Sequence, residues 1–383
     1  MSGRQVISGI DPATGKGLAV TMEDGLIAAI RPEHDADSVY LSAGLIDLQV
    51  NGFGGLDFNS GELTTDTVFI VAQKLAALGV TTFLPTLVTA AEDRIIERLK
   101  IIAAARRAHP LVNHMVPAVH VEGPAISRLD GPRGAHALAY VRAPLIEEFE
   151  RWQQACGELV GLVTLAPEYP EAPAYIESLT ARGVHVALGH TAATPDAIHR
   201  AVDAGAVLST HLGNGAAALL PRHPNFIWTQ LADDRLTASF IADGHHLPAD
   251  TFKAMLRAKG LARAVLVSDS VALAGMGPGR YEQAIGGAVE VSTDGRIAVA
   301  GTPYLAGAGL PLIANVAIAI TMADLSLAEA LGLATVNPGR FVNGRGRLQL
   351  GERADILRFS WAAGARTLAV EDVWIAGERI AAP

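Results

Sequence analysis

The chain has 383 residues, 50% hydrophobic and 18% charged, which is enough for a large buried core with a smaller partner domain. With 30 Lys and Arg against 39 Asp and Glu, the formal net charge is −9; nucleic acid and anionic membranes are excluded as main partners, and an anionic substrate would need a local cation. Cys156 is the single cysteine, so neither an internal disulfide nor a multi-cysteine zinc site can form.

The start, MSGRQVISGI, lacks a basic segment followed by a long apolar region, and no apolar run is long and clean enough to span a bilayer, so a cytoplasmic enzyme or binding protein is expected. Residues 1–42 carry strand-like stretches, VISGI and GLAVTMEDGLIAAI, punctuated by turn signals such as DG. Over 43–343, short apolar segments alternate with helical stretches at the spacing of a parallel sheet. In order they are GLIDLQV, TTFLPTLVT, HMVPAVHVEG, LVGLVTLAPE, VHVALGHT, VLSTHLGN, TASFIADGHH and RAVLVSDS, eight in all. Residues 344–383 return to short strands and turns in RLQLGERADILRF and LAVEDVWIAGERI. The expected fold is α/β: a (β/α)8 TIM-like barrel over 43–343, with a small β-sandwich domain formed by both chain ends, 1–42 and 344–383.

Each barrel segment turns polar at its C-terminal end: Gln49 and Asn51, Thr86, Glu122, Glu168, His190, His211, the Asp243 to His246 group, and Asp269. In a (β/α)8 barrel these ends converge on one mouth, whereas a doubly wound open sheet would spread them along an edge. The third segment ends in HVEGP, and strand residues two apart project to one face, so His120 and Glu122 share a space. A lone histidine in a strand is ordinarily a hydrogen-bonded core or surface residue. His190 in LGHT and His211 in STHLGN close adjacent strands, however, and with Glu122 they supply two imidazoles and a carboxylate, the donor set of an open catalytic zinc site. Asp269 in VLVSDS would alone read as a helix cap. At the same mouth it can take a proton from the attacking water and pass it to a leaving amine.

The runs DLQVNGFGG, HVEGP, TLAPE, LGHT, THL, IADGHH and SDS followed by LAG, in that order and over nearly the whole chain, resemble the N-acetylglucosamine-6-phosphate deacetylases of the amidohydrolase superfamily. The resemblance implies a divalent metal ion, zinc being expected, held by Glu122, His190 and His211, with Asp269 as general base and acid. It also implies that His136, in RGAH, helps the metal polarise the acetyl carbonyl, whose tetrahedral intermediate carries charge on oxygen. Many superfamily members have His-x-His at the end of the first strand and bind two metals. Gln49-Val50-Asn51 stands there instead, so one functional metal per subunit is expected, with His120 as the residue able to complete a second site.

For the substrate, the resemblance points to Ala135, Asn214, Gly215, Arg222, His246, Leu305, Ala306 and Gly307. It departs from the family where Asn-Ala-Met becomes Asn214-Gly215-Ala216, where Asn225 replaces a Gly, where His245 is an extra, and where Leu305-Ala306-Gly307 occupies a stretch that usually holds a small hydroxyl residue. Arg222 is expected at the sugar phosphate, reached from a neighbouring subunit, which implies a homodimer. Taken alone, Arg222 reads equally well as a solvated loop charge, and Gly52, Gly54 and Gly55 as turn formers. The expected reaction converts N-acetyl-D-glucosamine 6-phosphate to D-glucosamine 6-phosphate and acetate. The alternatives are an amidohydrolase acting on a different N-acyl amino sugar or cyclic amide, and a catalytically silent barrel that binds a sugar phosphate.

Overall fold

The computed structural model describes residues 3–283, 287–302 and 304–380; residues 1–2 and 381–383 of the expected β domain lie outside the described residues. Strands Leu45–Val50, Val80–Val88, Val119–Glu122, Val160–Leu165, His185–Leu188, Leu208–Ser209, Thr237–Phe240 and Ala264–Leu266 pair side by side in chain order, each parallel to the next. They are barrel strands one to eight. Strands eight and one meet through a single bridge, Val50 to Ser270, and through the Asn51 amide on the Ser270 carbonyl at 2.8 Å. The Asp47 carboxyl adds a further tie, accepting the Ser268 amide at 3.1 Å. The eight segments read from the sequence are thus the eight staves of a nearly closed barrel.

Alternation along each strand sorts side chains between helices and lumen. Val119 and Val121 pack outward into the main core, which leaves His120 and Glu122 inward. The lumen floor is apolar, with Ile46, Leu84, Leu162, Leu208, Val265 and Val342 in one cluster. Toward the mouth comes a polar layer built on His120. Burial pushes this imidazole down to about 4, so it is neutral. Its Nδ1 donates to the Leu48 carbonyl at 3.2 Å, and Nε2 therefore accepts the Thr164 hydroxyl proton at 2.7 Å. Thr164 in turn stands 2.7 Å from the Thr210 hydroxyl. Both ring nitrogens of His120 are engaged below the mouth.

The helices follow from caps and amphipathic spacing. Pro195–Asp203, just after His190, starts at Thr194, whose side chain accepts the Ala197 amide, and it buries Ala197, Ile198, Ala201 and Val202 on one face. The chain ends form a seven-stranded sheet in the order Glu378–Ile380, Ala369–Ile375, Ile356–Ser360, Tyr40–Ala43, Gln5–Ile10, Gly17–Glu23 and Leu26–Pro32. Its pairings are antiparallel except that between Gln5–Ile10 and Tyr40–Ala43, and Val20, Met22, Ile27, Leu41, Ile356 and Trp374 cluster on it.

One element was not anticipated. After strand eight, Gly279–Gln283, Gly287–Val291 and Ile297–Val299 form a separate three-stranded antiparallel sheet around Val289, Val291 and Ile297. Its signal in the sequence is the alternation in AVEVSTDGRIAVA with DG at the turn. Among the described residues no helix is long and apolar enough to cross a membrane.

Candidate active site and metal centre

Three of the singled-out residues share an unusual backbone. His190, His211 and Asp269 have φ of 49°, 29° and 50°, in the left-handed region that non-glycine residues rarely adopt and that costs about 1–3 kcal/mol each. Each follows a barrel strand, and the turn it makes breaks the alternation at the mouth. Strain of this kind is kept where side-chain placement outweighs it.

Glu122, His136 and His190 offer ligand atoms that all lie within 4.8 Å of one another, all buried. His211 joins them, with Nε2 3.1 Å from Glu122 Oε1, while the His190 Nε2 is 3.5 Å from the same oxygen. Hydrogen bonds fix the proton positions. His190 Nδ1 is 2.9 Å from the Pro132 carbonyl, which only accepts, so this nitrogen carries a proton and Nε2 is the atom that faces the cluster as a ligand. His136 Nε2, 3.3 Å away, then donates to it, and His136 Nδ1 accepts from the Thr89 hydroxyl at 2.8 Å. Burial pushes His136 down to about 3, which keeps it neutral. Burial alone would raise the Glu122 carboxyl, but His190 and His211 outweigh it and hold it well below its ordinary range.

These donors fit a divalent metal ion. A buried carboxylate and imidazole nitrogens converge, and a carbonyl orients His190 from behind, as metal-binding histidines require. The His211 Nδ1 is buried without a partner, so His211 lacks that outer support among the described residues.

The two amides at the end of strand one, Gln49 and Asn51, each bond a carboxylate. Gln49 donates Nε2–H to Glu122 Oε1 at 2.9 Å, and Asn51 donates Nδ2–H to Asp269 Oδ1 at 2.8 Å. Each orients one of the site's two carboxylates. Burial pushes Asp269 up to about 6, with His211 opposing, Glu122 adding to the rise, and His246 and the Asn51 hydrogen bond opposing.

The substrate residues fall into two groups. Gly215 and Gly134 flank the metal-side imidazole: a Cβ on Gly215 would lie 2.8 Å from His190 Nδ1, and one on Gly134 3.2 Å from its Cε1. With φ of 55° as well, Gly215 explains why alanine is absent there. Asn214 donates to the His211 carbonyl at 3.3 Å, and Ala135 is exposed beside His136. His246 is held by Asp243, whose Oδ2 accepts Nδ1–H at 2.7 Å, leaving Nε2 for a ligand.

The second group is not drawn into the cluster. Arg222 is exposed with no hydrogen bond or ion pair among the described residues. His245 donates Nε2–H to the Asp294 carbonyl at 3.3 Å and so ties its loop to the inserted sheet. Leu305 bridges Ala298, Ala306 packs on the inserted sheet's apolar cluster, and Gly307 has no room for a side chain, since a Cβ would lie 2.4 Å from Val271. Asn225, the other departure, caps the helix Phe226–Ala232 by accepting the Ile227 and Trp228 amides.

Sequence reasoning missed Thr89, the Pro132 carbonyl and Asp243 as supports. Glu168 is another, accepting the Thr191 hydroxyl at 2.5 Å and the Ala192 amide at 3.2 Å just beyond His190. Only Glu168 and Asp243 had a signal, as polar residues at strand ends.

The chain matches the amidohydrolase family over residues 40–380. It is 33% identical over 375 residues to the N-acetylgalactosamine-6-phosphate deacetylase of Shewanella sp. (strain ANA-3), covering 94% of this chain and 91% of that protein. It is also 33% identical over 366 residues to the N-acetylglucosamine-6-phosphate deacetylase of Mus musculus, covering 91% and 85%. Among solved structures, it is similar, with a TM-score of 0.87 and 29% identity over 99% of each chain, to an aspartate-to-alanine mutant of N-acetyl-D-glucosamine-6-phosphate deacetylase from Mycobacterium smegmatis in complex with N-acetyl-D-glucosamine-6-phosphate.

Proposed function

The chain belongs to the amidohydrolase family, and from that premise we infer that it hydrolyses N-acetyl-D-glucosamine 6-phosphate to D-glucosamine 6-phosphate and acetate. The observation that carries this reading is the buried convergence of Glu122, His136, His190 and His211 beside Asp269, in a chain whose relatives are named for that reaction. We assign Glu122, His190 and His211 as the metal ligands, with zinc as the ion on the strength of the carboxylate and imidazole donor set. The bound ion would supply Lewis acidity and make water a better nucleophile.

The remaining steps belong to the chain's own groups. Asp269, partly open at the mouth and held by Asn51, takes a proton from the attacking water. The water oxygen bonds to the acetyl carbon, the carbonyl pair moves to oxygen, and His136 holds that oxygen with a hydrogen bond from Nε2–H, keeping its own proton, until the carbonyl re-forms. Asp269 then gives the proton to the amide nitrogen, the C–N bond breaks, and acetate and the amine leave. Asn214, Gly215 and His246 line the sugar side, with Ala135 and the backbone of Leu305, Ala306 and Gly307. Arg222 serves the phosphate from a neighbouring subunit of a homodimer, which accords with its exposure and its freedom from partners. We also propose the division into 1–42 with 344–383 against 43–343, and a cytoplasmic location.

The Shewanella relative, by its name, acts on the galacto epimer, and the altered Asn214-Gly215-Ala216 segment favours testing that second reading. Purified protein is to be offered both N-acetylhexosamine 6-phosphates and their unphosphorylated counterparts, with acetate and ammonia measured. Acetate release greatest on the gluco phosphate is expected. Greater release on the galacto phosphate selects the second reading, and ammonia without acetate rejects both.

A further inference from the structure

We propose that Arg133 is a positioning residue: by stapling the turn 130–136 it sets a metal ligand and the oxyanion donor relative to each other. The proposal rests on the assignment of His190 as ligand and His136 as donor. One irregular loop, between strand three and the helix Ile146–Cys156, serves both. The Ser127 amide donates to the His190 carbonyl at 2.9 Å, and the Pro132 carbonyl accepts His190 Nδ1–H at 2.9 Å. Four residues after Pro132 the same loop delivers the His136 ring, whose Nδ1 meets the Thr89 hydroxyl at 2.8 Å. A change in the shape of this turn therefore reaches two buried imidazoles at once.

Backbone bonds close the turn in part. The Arg133 amide donates to the Leu129 carbonyl and the Gly134 amide to the Gly131 carbonyl, each at 3.0 Å, while the His136 amide reaches the Arg133 carbonyl at 3.3 Å. The Arg133 guanidinium spans the rest: Nη1 donates to the His136 carbonyl at 2.8 Å and Nη2 to Asp130 Oδ1 at 3.0 Å. A planar fork holds two acceptors at a set separation, which an ammonium group does not. The side chain is 19% exposed, and its Nε is buried with no acceptor. An arginine serving as a surface charge would turn that N–H to water, so the placement follows from what Nη1 and Nη2 reach.

Ion pairing alone does not account for the arrangement. Asp130 is 96% exposed, and a pair so open to water contributes little. Arg142, at the far end of the same loop, gives the contrast. Its Nε donates to Oε2 of the buried Glu148 at 2.9 Å, and its Nη1 donates to the Ala90 carbonyl at 3.0 Å and the Tyr140 carbonyl at 2.7 Å. Removing Arg142 would leave a buried carboxylate uncompensated, so its role is to fasten the loop to the barrel. Arg133 instead shapes the part of the loop that touches His190.

The test compares wild type, Arg133→Met and Asp130→Asn. It reads zinc affinity by chelator competition, kcat and KM for N-acetyl-D-glucosamine 6-phosphate and its unphosphorylated counterpart, and Tm. Loss of an outer partner of a metal ligand weakens metal binding or activity about 10–100-fold, and Arg133 acts one step further out, so zinc affinity and kcat should each fall about tenfold in Arg133→Met. KM should stay within about twofold on both sugars, and Tm should stay near wild type because the paired carboxylate lies in water. Asp130→Asn keeps an acceptor oxygen and should match wild type throughout. Wild-type zinc affinity and kcat in Arg133→Met, a loss confined to KM for the phosphorylated sugar, or a loss that Asp130→Asn reproduces, overturns the proposal. If Arg133→Met fails to fold, Arg133→Lys, which keeps the charge without the fork, is read in the same way. Wild type lacking zinc-dependent acetate release refutes the assignments beneath the proposal, which then falls with them.

Discussion

Replacing Asn51 with Leu should move the pH profile of the enzyme without dismantling its metal centre. Asp269 must be ionised to accept a proton, so kcat/KM rises with pH as this carboxyl deprotonates. Its value is set by opposing contributions: burial lifts it toward about 6, and the Asn51 amide, 2.8 Å from Oδ1, is among the groups that restrain it. A hydrogen bond to a charged group contributes about 1.5–3 kcal/mol, which is about 1–2 pK units. Asn51→Leu removes that donor and puts apolar atoms in its place, so the ascending limb should move up by at least about one unit, with the plateau at high pH largely retained. A bound metal lowers the absolute value in both proteins, and the difference between them is what is read. The leucine also eliminates the buried, unpartnered Asn51 Oδ1, so the fold should tolerate it. The assay is kcat/KM for acetate release between pH 5 and 9 on metal-replete wild type and variant. A limb that stays in place, or moves down, removes Asn51 as the restraint on Asp269.

Asp269→Asn keeps the shape but accepts no proton, so turnover should fall by at least ~10²-fold while bound metal, measured by elemental analysis, persists. Arg222→Ala should raise KM strongly for the phosphorylated sugar and barely change the slow reaction of the unphosphorylated one, a contrast that a general folding defect would not give. Asp47, pushed up to about 7 by burial, holds a proton in the folded state that the unfolded chain has released above about pH 4. Its contribution to stability is therefore full below about pH 4 and is lost as pH rises to about 7, by roughly 4 kcal/mol at most. Asn at this position keeps an oxygen able to accept the Ser268 and Gln49 amides, so denaturant titrations of Asp47→Asn should lose the fall in stability over that window.

The barrel was legible because each strand is an apolar run whose last residues change character, and that polar switch depends on local sequence alone. The same switch located Glu122, His190, His211 and Asp269. What stayed hidden was pairing across the chain. His120 and Glu122 alternate identically in sequence, yet the first is engaged by Leu48 and Thr164 one layer down, and only depth in the barrel separates their uses. Gln49 and Asn51 read as missing ligands, while their partners, Glu122 and Asp269, lie 73 and 218 residues away. The left-handed backbone at three site residues leaves no residue-type signature, because none of them is glycine.

The central claim is that this chain releases acetate from a phosphorylated N-acetylhexosamine by means of one metal ion held at Glu122, His190 and His211. The direct measurement removes metal from the purified protein with a chelator, returns zinc in known increments, and follows acetate from N-acetyl-D-glucosamine 6-phosphate beside the metal content of each sample. Gln49 and Asn51 are amides engaged with Glu122 and Asp269, so acetate release should be absent without metal and should reach its maximum at about one ion per chain. Full activity in metal-free protein, or a maximum reached only at about two ions per chain, would contradict it.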